Sequence, residues 1–371
     1  MKTAIICDWL VAVGGAEKFL GHLLDAFPNA DVFAVVDFVE PNQRGFLRNK
    51  AVKTTFIQNL PFAKKHYRHY LPLMPLAIEQ LDLSHYDLIL SSSHAVAKGV
   101  ITGPDQVHIS YIHSPMRYAW DLQHHYLNET GLAQKKRGWI VRYFLHKLRA
   151  WDFRSAYGVD HLLCNSSFIA KRIQKTYKRE ATVLYPPIEL QQFTPGTRKD
   201  NFYLAASRLV PYKKIDLIVE AFKNLPDKHL IVIGDGPDAQ KIRDKASPNV
   251  TLMGYQPNEV LIDHMQRAKA LIFAAEEDFG LIPVEAQACG TPVIAFGKGG
   301  ALETVQGLNK PNPTGVFFDH QTIESLQTAI HIFETNADKC TPANCTQNAA
   351  RFNPEQFKAS LLSFVQEKIG A

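Results

Sequence analysis

The sequence lacks any apolar run that approaches the roughly 18 residues needed to span a bilayer as a helix. Its first eight residues also lack the longer apolar stretch of a signal peptide and instead predict a buried strand. We therefore expect a cytoplasmic protein, and leave open a peripheral association with the inner face of the cell membrane. Five scattered cysteines, an odd number, favour reduced thiols over a disulfide framework.

The patterns of several other protein classes are missing too. No Asp-x-Asp motif occurs, and Cys340 and Cys345 have no nearby His or Cys to complete a zinc site. We therefore expect neither a metal nor a cofactor. No helix-turn-helix, zinc-finger or RNA-binding signature appears, so we expect no nucleic-acid partner. No internal repeat and no low-complexity tract is visible.

The charge that is present lies unevenly along the chain. Residues 1–185 carry 23 Lys and Arg against 15 Asp and Glu, or +8, whereas residues 186–371 carry 18 against 21, or −3. A basic half joined to a slightly acidic half indicates that the first half meets something anionic. A phosphorylated substrate and an anionic membrane surface both fit.

Short runs of Val, Ile and Leu alternate with longer amphipathic stretches. Strands are predicted at 3–7, 31–36, 87–92, 108–112, 161–164 and 182–185, and then at 202–206, 229–233, 250–253, 270–274, 292–296 and 315–318. Helices are predicted at 15–26, 167–177, 213–223, 258–267 and 322–334. Fully apolar strands that alternate with helices indicate parallel sheets covered on both faces. We predict an α/β protein with two Rossmann-like, doubly wound domains.

A linker at residues 186–201 separates the two series of strands. It begins with two prolines and continues as a polar, turn-rich stretch. The predicted domains are therefore residues 1–185 and residues 186–353. Ligands of open α/β sheets bind beyond the carboxyl ends of the strands, so we expect a site in a cleft between two such domains.

The strongest local signal is Glu277 and Glu285 with Gly280 and Pro283 between them. Proline is well tolerated in the first turn of a helix, which places Glu285 in that turn and Glu277 in the loop before it. Both carboxylates could then reach one ligand, while the amides at the helix start meet phosphate oxygens. The alternative is that Glu285 only complements the helix dipole.

Four segments together resemble glycosyltransferase family 4. Residues 277–295 resemble its E-x7-E signature, and residues 207–214 resemble its phosphate-binding R-x4-K segment. Residues 234–237 follow a strand as the G-x-G-P of the family does, and residues 13–17 resemble its amino-terminal glycine loop. The resemblance covers nearly the whole chain, with the motifs in the family's order.

This resemblance implies the GT-B architecture, in which two Rossmann-like domains enclose a cleft and a carboxy-terminal helix crosses back onto the first domain. Residues 354–371 contain an amphipathic stretch that could be this helix. The resemblance also implies that residues 186–353 bind a nucleotide sugar and that residues 1–185 bind the acceptor.

Two cations, Arg208 and Lys213, follow the predicted strand 202–206 and suit a diphosphate. Surface solvation is the alternative for both. His113 lies just past strand 108–112, where relatives carry a His near the reacting sugar, although a lone His is more often structural. Gly14 and Gly15 open the first predicted helix and permit close approach to a ligand, or form only a tight turn.

The resemblance assigns roles to single residues of this sequence. The residues expected to act in the reaction are His113, Glu277, Arg208 and Lys213. The residues expected to bind the donor are Gly14, Gly15, Gly234, Gly254, Phe279, Gly280, Leu281 and Glu285. In this assignment Glu285 bonds the ribose, Glu277 faces the hexose, and neither is expected to be a nucleophile.

The segment around His113 resembles a subset of the family, the mannosyltransferases of bacterial polysaccharide and lipopolysaccharide assembly that use GDP-mannose. The resemblance implies retaining transfer of a hexose to a glycan or a polyprenyl-diphosphate-linked glycan. A UDP-sugar donor is an alternative. A non-hydrolysing sugar-nucleotide epimerase and a non-catalytic scaffold subunit are further alternatives, which the retained glutamates and cations disfavour.

Two segments, residues 62–70 and 135–151, mix basic and aromatic side chains. Such segments can rest on anionic lipid headgroups. A helix that packs its aromatics on its own domain is an equally good interpretation.

Overall fold

The computed structural model describes residues 1–129 and 138–370. The chain forms two compact units, Met1–Pro187 together with Glu355–Ala371, and Ile188–Pro354. None of the helices in the described ranges is long and apolar enough to cross a membrane. Lys135, Lys136 and Arg137, part of the second basic-aromatic segment, lie outside the described residues.

The first unit is built on a seven-stranded sheet whose strand pairs are all parallel, in the order β3-β2-β1-β4-β5-β6-β7. The strands are β1 (Thr3–Cys7), β2 (Asp31–Ala34), β3 (Val52–Thr54), β4 (Leu88–Ser93), β5 (Val107–Ile112), β6 (His161–Cys164) and β7 (Thr182–Val183). The helices between them are α1 (Gly15–Ala26), α2 (Ala63–His66), α3 (Met74–Glu79), α4 (Gln123–Glu129), α5 (Gly138–Tyr157) and α6 (Ser167–Tyr177). Short 3-10 segments cover Pro41–Leu47, Phe56–Asn59, Tyr67–Leu73 and Ala97–Gly99.

The second unit holds a six-stranded parallel sheet in the order β10-β9-β8-β11-β12-β13. Its strands are β8 (Phe202–Ala206), β9 (His229–Ile233), β10 (Val250–Gly254), β11 (Ala270–Phe273), β12 (Val293–Phe296) and β13 (Gly315–Phe318). Its helices are α7 (Ile215–Lys223), α8 (Ala239–Lys245), α9 (Asn258–Arg267), α10 (Leu281–Ala288), α11 (Ala301–Thr304), α12 (Ile323–Thr335) and α13 (Pro342–Ala349). The 3-10 segments here are Leu190–Gln192, Pro211–Lys213 and Ala350–Phe352.

The apolar strands are buried on both faces, which is why they show no alternation of polar and apolar residues. In β1, Ile5 and Cys7 belong to one core cluster, while Ala4 and Ile6 belong to a second cluster on the other face of the sheet. The predicted two-layered covering of parallel sheets is therefore present in the first unit.

The last helix, α14 (Pro354–Ile369), packs on the first unit. Its buried residues Phe357, Leu361 and Val365 are spaced four apart, so they form one stripe that joins the core cluster of Ile5. Burial of each such side chain stabilises the fold by roughly 1.5–3 kcal/mol, and truncation of Leu361 to Ala would remove about 2–5 kcal/mol.

Two expectations about single elements were wrong. The predicted helix 213–223 begins only at Ile215, because Pro211–Lys213 form a 3-10 turn and Lys214 then adopts a left-handed conformation (φ 57°). Strand β3 was missed, because Val52–Thr54 is short and only partly buried at the sheet edge.

Both sheets change winding direction once. In the first sheet β1 lies between β2 and β4, and in the second β8 lies between β9 and β11. At the carboxyl ends of β1 and β4, the loops that follow these two strands therefore run in opposite directions and leave a crevice between them. The loops that follow β8 and β11 leave a corresponding crevice in the second unit. Six of the twelve predicted site residues lie in these loops, namely Gly14, Arg208, Lys213, Glu277, Phe279 and Gly280.

Candidate functional site

In the second unit, the loops after β8 and β11 bring Lys213 and Glu277 together. The Lys213 ammonium forms an ion pair and a hydrogen bond with Glu277 Oε1, and about a fifth of each side chain is exposed. The ammonium also lies 5.4 Å from the ring centroid of Tyr212. Two residues that are 64 positions apart in the sequence thus meet at the predicted edge of the sheet. Arg208, in the same loop as Lys213, is exposed.

Helix α10 starts directly after this loop. Gly280 precedes it with φ 82°, a conformation that L side chains rarely adopt, and it offers no side chain to cap the first amides. The helix begins at Leu281, so its first turn ends before Glu285. The expectation that Glu285 lies in the first turn was wrong by one residue, because the helix starts two residues before Pro283.

The loop that carries Glu277 is held by two glycines that the sequence analysis did not single out. Gly300 N–H donates to the Glu277 carbonyl at 2.8 Å. A Cβ on Gly299 would lie 2.4 Å from the Glu277 carbonyl oxygen, and one on Gly300 would lie 2.3 Å from Phe279 Cα. Only glycine fits both positions. The signal was a glycine pair just after a strand, the same signal as at Gly14.

The predicted donor-binding glycine Gly234 has a packing role in the structure. Its φ is 142°, and an added Cβ would lie 1.8 Å from the Ser207 carbonyl oxygen. Gly236 likewise approaches the Leu209 carbonyl, which a Cβ would meet at 2.3 Å. Both glycines therefore let the loop that leads to Lys213 lie against the end of β9. Gly254 ends β10 in a left-handed conformation and accepts from Gly234 N–H at 2.8 Å.

A buried network supports α10 from below. Phe279 is buried and its ring packs edge-on against Phe352 at 5.4 Å. The fully buried Gln287 amide donates to the carbonyls of Pro283 and Thr304, each at 2.9 Å, and accepts from Asn348 at 2.7 Å. These bonds fix the position of the helix start relative to the loop.

In the first unit the corresponding crevice contains Asp8, which the sequence analysis missed. Asp8 directly follows β1 and is fully buried. Its carboxylate accepts hydrogen bonds from the backbone N–H groups of the four consecutive residues 94 to 97, at 2.5–3.0 Å. Burial would raise the pKa of Asp8, but the charge of His94 and these hydrogen bonds lower it to about 2.

His94 directly follows β4 and completes this arrangement. Its Nδ1 lies 2.9 Å from Asp8 Oδ2, and its ring packs edge-on against Trp9 at 4.7 Å. Burial would lower the pKa of His94, but the charge and hydrogen bond of Asp8 outweigh it, so this pKa is raised. The buried Asp8 carboxylate therefore favours the protonated form of the His94 imidazole. The sequence signal was a polar residue directly after each strand, Asp8 after the apolar β1 and His94 after the three serines that end β4.

His113 lies at the end of β5, the next strand. Its Nε2 is 2.8 Å from the Ser92 hydroxyl, and its ring centroid is 6.5 Å from that of His94. Burial lowers the pKa of His113 to about 3, and the positive charge of His94 adds to the effect. His113 is therefore neutral near pH 7, and two histidines with opposite protonation preferences lie side by side.

Gly14 and Gly15 open α1, as predicted, but neither has a positive φ. Glu17 Oε2 accepts from Gly14 N–H at 2.9 Å, so a carboxylate caps this helix start. Both glycines are exposed. They leave the first turn of α1 accessible and do not form a strained turn.

The basic-aromatic segments divide into exposed and packed residues. Phe62 is 78% exposed and Trp139 is 68% exposed. Tyr67 is instead buried, and Trp151 donates its indole N–H to Glu79 at 2.7 Å. Each segment thus anchors one aromatic in its own unit and presents another to solvent.

Two family models match the chain. The model for glycosyl transferases group 1 matches residues 188–352, and the model for glycosyltransferase family 4 matches residues 13–192. The chain belongs to glycosyltransferase family 4. The recognition from the sequence motifs is thereby confirmed.

Curated relatives of this family 4 chain match over part of their length. An uncharacterized glycosyltransferase of Methanocaldococcus jannaschii is 29% identical over 39% of this chain and 42% of that protein. A D-inositol 3-phosphate glycosyltransferase of Mycobacterium sp. strain KMS is 30% identical over 38% of each. A GDP-mannose-dependent phosphatidylinositol monomannoside mannosyltransferase of Corynebacterium glutamicum is 29% identical over 40% of this chain and 47% of that protein. The matches thus cover less than half of each of these relatives.

Solved structures match over the whole length. HepE of Anabaena in complex with UDP-glucose has a TM-score of 0.69 at 16% identity, over 99% of this chain and 100% of that chain. A sucrose-phosphate synthase of Thermosynechococcus elongatus has a TM-score of 0.73 at 17% identity, over 100% of both chains. At these identities the likeness concerns the fold. The predicted GT-B fold with two Rossmann-like domains is confirmed.

Proposed function

We propose that this protein transfers a hexose from a nucleoside diphosphate sugar to an acceptor, with retention at the anomeric carbon. The observation that carries the proposal is the Lys213–Glu277 ion pair at the switch point of the second unit, next to the helix start behind Gly280. A cation, a carboxylate and the amides of a helix start suit a diphosphate, a sugar hydroxyl and phosphate oxygens respectively. In this proposal residues 188–354 bind the donor.

The ion pair suggests how the donor is accepted. Lys213 and Glu277 neutralise each other at partly buried positions, where a lone charge would be costly. When a diphosphate arrives, Lys213 turns to it together with Arg208, and Glu277 becomes available to a hexose hydroxyl. Both cations then stabilise the negative charge that develops on the leaving diphosphate. Glu285, one turn along α10, bonds the ribose.

Gly254 lies beside this site and is proposed to let the base approach the backbone. Gly234 supports the phosphate loop from behind, while Phe279, Gly280 and Leu281 contribute backbone amides to the donor. Gly14 and Gly15, at the start of α1, are proposed to bind the donor as well. The first unit is proposed to bind the acceptor.

His113 is proposed to act near the reacting sugar. It is neutral near pH 7, because burial lowers its pKa to about 3, so it offers a hydrogen bond without a charge. In a same-face reaction the acceptor hydroxyl passes its proton to an oxygen of the departing phosphate while the new glycosidic bond forms. Neither Glu277 nor Glu285 needs to act as a nucleophile in this sequence of events.

For the donor we propose mannose from GDP-mannose. Support comes from the segment around His113 and from a relative named as a GDP-mannose-dependent mannosyltransferase. A UDP-sugar is the second candidate, because structures with the same fold are complexes with UDP and UDP-glucose.

The acceptor is proposed to be a glycan or a polyprenyl-diphosphate-linked glycan of bacterial polysaccharide or lipopolysaccharide assembly, reached at the inner face of the cell membrane. The basic first half and the exposed aromatics Phe62 and Trp139 support such a peripheral location.

Incubation of the protein with GDP-mannose or UDP-glucose and a lipid-linked saccharide fraction tests the proposal. We expect release of one nucleoside diphosphate for each hexose transferred. We also expect the one-bond C1–H1 coupling constant of the product, measured by NMR, to show the same anomeric configuration as in the donor. Inversion would refute the retaining mechanism. Conversion of the donor to its epimer without any acceptor would refute the transferase.

A further inference from the structure

We infer that the first unit contains a site for the lipid chain of an anionic isoprenoid acceptor, in a groove between the 3-10 segment Tyr67–Leu73 and helix α5. This inference rests on the proposed function, whose acceptor it makes more specific. The groove has a volume of about 300 Å³. That volume is at the lower end of the range typical of small-molecule sites, about 300–1,000 Å³.

The wall of the groove is mainly apolar. Leu71 and Pro72 contribute one side, and Val141, Phe144 and Leu148 of α5 contribute the other. Phe144 remains 45% exposed although it lines the groove. A hydrocarbon chain that filled the groove would remove this apolar surface from water, with roughly a fourfold gain in affinity for each buried methylene.

One polar atom behind the wall of the groove lacks a hydrogen-bond partner. The hydroxyl of Tyr118, which lines the groove, is inaccessible to solvent and finds no hydrogen-bond partner among the described residues. Buried hydroxyls are nearly always paired, so this one leaves a hydrogen-bond donor without a partner next to the groove. Burial raises the pKa of Tyr118, and the charges of Asp8 and Asp152 add to this, so the hydroxyl keeps its proton.

Positive charge also lines the groove, from Arg68 on one side and from Lys147 of α5 on the other. Arg68 lines it, is exposed, and donates from Nε to the Tyr67 hydroxyl at 3.0 Å. The Tyr67 ring packs on Trp9 at 5.6 Å, and Trp9 in turn packs on His94. The groove therefore combines apolar walls with a cation on each of its two sides. A ligand with an anionic head and a single hydrocarbon tail matches this combination of positive charge and apolar surface.

Titration of the intact protein with farnesyl diphosphate, geranyl diphosphate and inorganic diphosphate tests the inference. We expect each additional isoprene unit to tighten binding at least tenfold. Phe144→Glu should weaken farnesyl diphosphate binding at least tenfold, because it places a charge in the groove. Tyr143→Glu is the matched control, since Tyr143 is adjacent on α5 and 53% exposed but does not line the groove. It should bind as the wild type does.

Three outcomes would overturn the inference. Equal affinity for inorganic and farnesyl diphosphate would show that no chain is bound. Equal losses in Phe144→Glu and Tyr143→Glu would indicate a general apolar surface, as in membrane docking. Loss of binding in Lys213→Ala would place the diphosphate in the donor site. A protein that binds nucleoside diphosphates but shows none of the chain-length dependence would retain the proposed function and lose this site.

Discussion

The Asp8 carboxylate and the His94 imidazole lie 2.9 Å apart at the carboxyl ends of two neighbouring strands. Four backbone N–H groups donate hydrogen bonds to the Asp8 carboxylate, and the imidazole of His94 is its ionisable partner. This geometry favours the protonated form of His94 in the first unit, whereas burial favours the neutral form of the neighbouring His113. The pair is independent of the predicted donor residues and was not visible as a motif.

Replacement of Asp8 by Asn should lower the pKa of His94, because the attractive charge is removed and burial then dominates. Histidine NMR titration measures this change directly. Asp105→Asn, at an exposed loop position, is the control and should leave the His94 pKa unchanged. A His94 pKa that stays raised in Asp8→Asn would contradict the assigned cause.

Asp8 also predicts how stability depends on pH. Its folded-state pKa of about 2 is below the ordinary value of about 3.9. The stabilisation is therefore fully present above about pH 4 and is lost as the pH falls through 2. In urea unfolding, the wild type should lose stability over this window, and Asp8→Asn should lose less. Equal acid sensitivity of the two proteins would count against this role of Asp8.

A second carboxylate, Glu334, should behave similarly in the other unit. Burial opposes its ionisation, but hydrogen bonds from Lys228, Lys269 and Tyr203 lower its pKa to about 2. Glu334→Gln should therefore be less stable than the wild type at pH 7, and the difference should shrink as the pH falls from about 4.5 to 2. Urea unfolding at several pH values measures it, with the exposed Asp338→Asn as the control. A difference that is independent of pH would contradict the ionic origin.

Substitution of two glycines separates the free-energy cost of backbone strain from the cost of close packing. Gly254 has φ 69° with open space at its Cβ, whereas Gly234 has φ 142° and faces the Ser207 carbonyl at 1.8 Å from an added Cβ. Gly254→Ala should cost about 1–2 kcal/mol from its backbone conformation alone. Gly234→Ala should cost about 1–3 kcal/mol more, because it also overpacks the loop. Thermal unfolding measures both, and equal losses would show that the close approach is not limiting.

Glu277→Ala should abolish detectable hexose transfer, because it removes the carboxylate proposed to bind the hexose. Glu276→Ala, one residue earlier in the same loop, is the control and should keep most of the activity. Circular dichroism establishes that both variants are folded. Full activity in Glu277→Ala would remove this residue from the site.

Much of the fold follows from the sequence, because buried parallel strands are continuous apolar runs with little ambiguity. The ends of the helices and strands followed less well from the sequence. The start of α7 depends on the left-handed conformation of Lys214, which a lysine in the sequence does not predict. Strand β3 is short and only partly buried, so its pattern is weak. In the candidate site, the two glutamates and the two cations could be predicted, because the members of each pair lie within a few residues of each other in the sequence. Asp8 and His94 could not, since 86 positions separate them and only the sheet order brings them together.

The most direct test of the donor site is a thermal-shift titration of wild-type protein and Lys213→Ala with GDP, UDP and ADP. A nucleotide at 100 times its dissociation constant adds about 2.7 kcal/mol to the apparent stability of the folded protein. Lys223→Ala, at the far end of α7, serves as the control. We predict that one nucleoside diphosphate raises the melting temperature of the wild type and of Lys223→Ala, and that the rise is largely lost in Lys213→Ala. No shift with any nucleotide, or an undiminished shift in Lys213→Ala, would contradict the account.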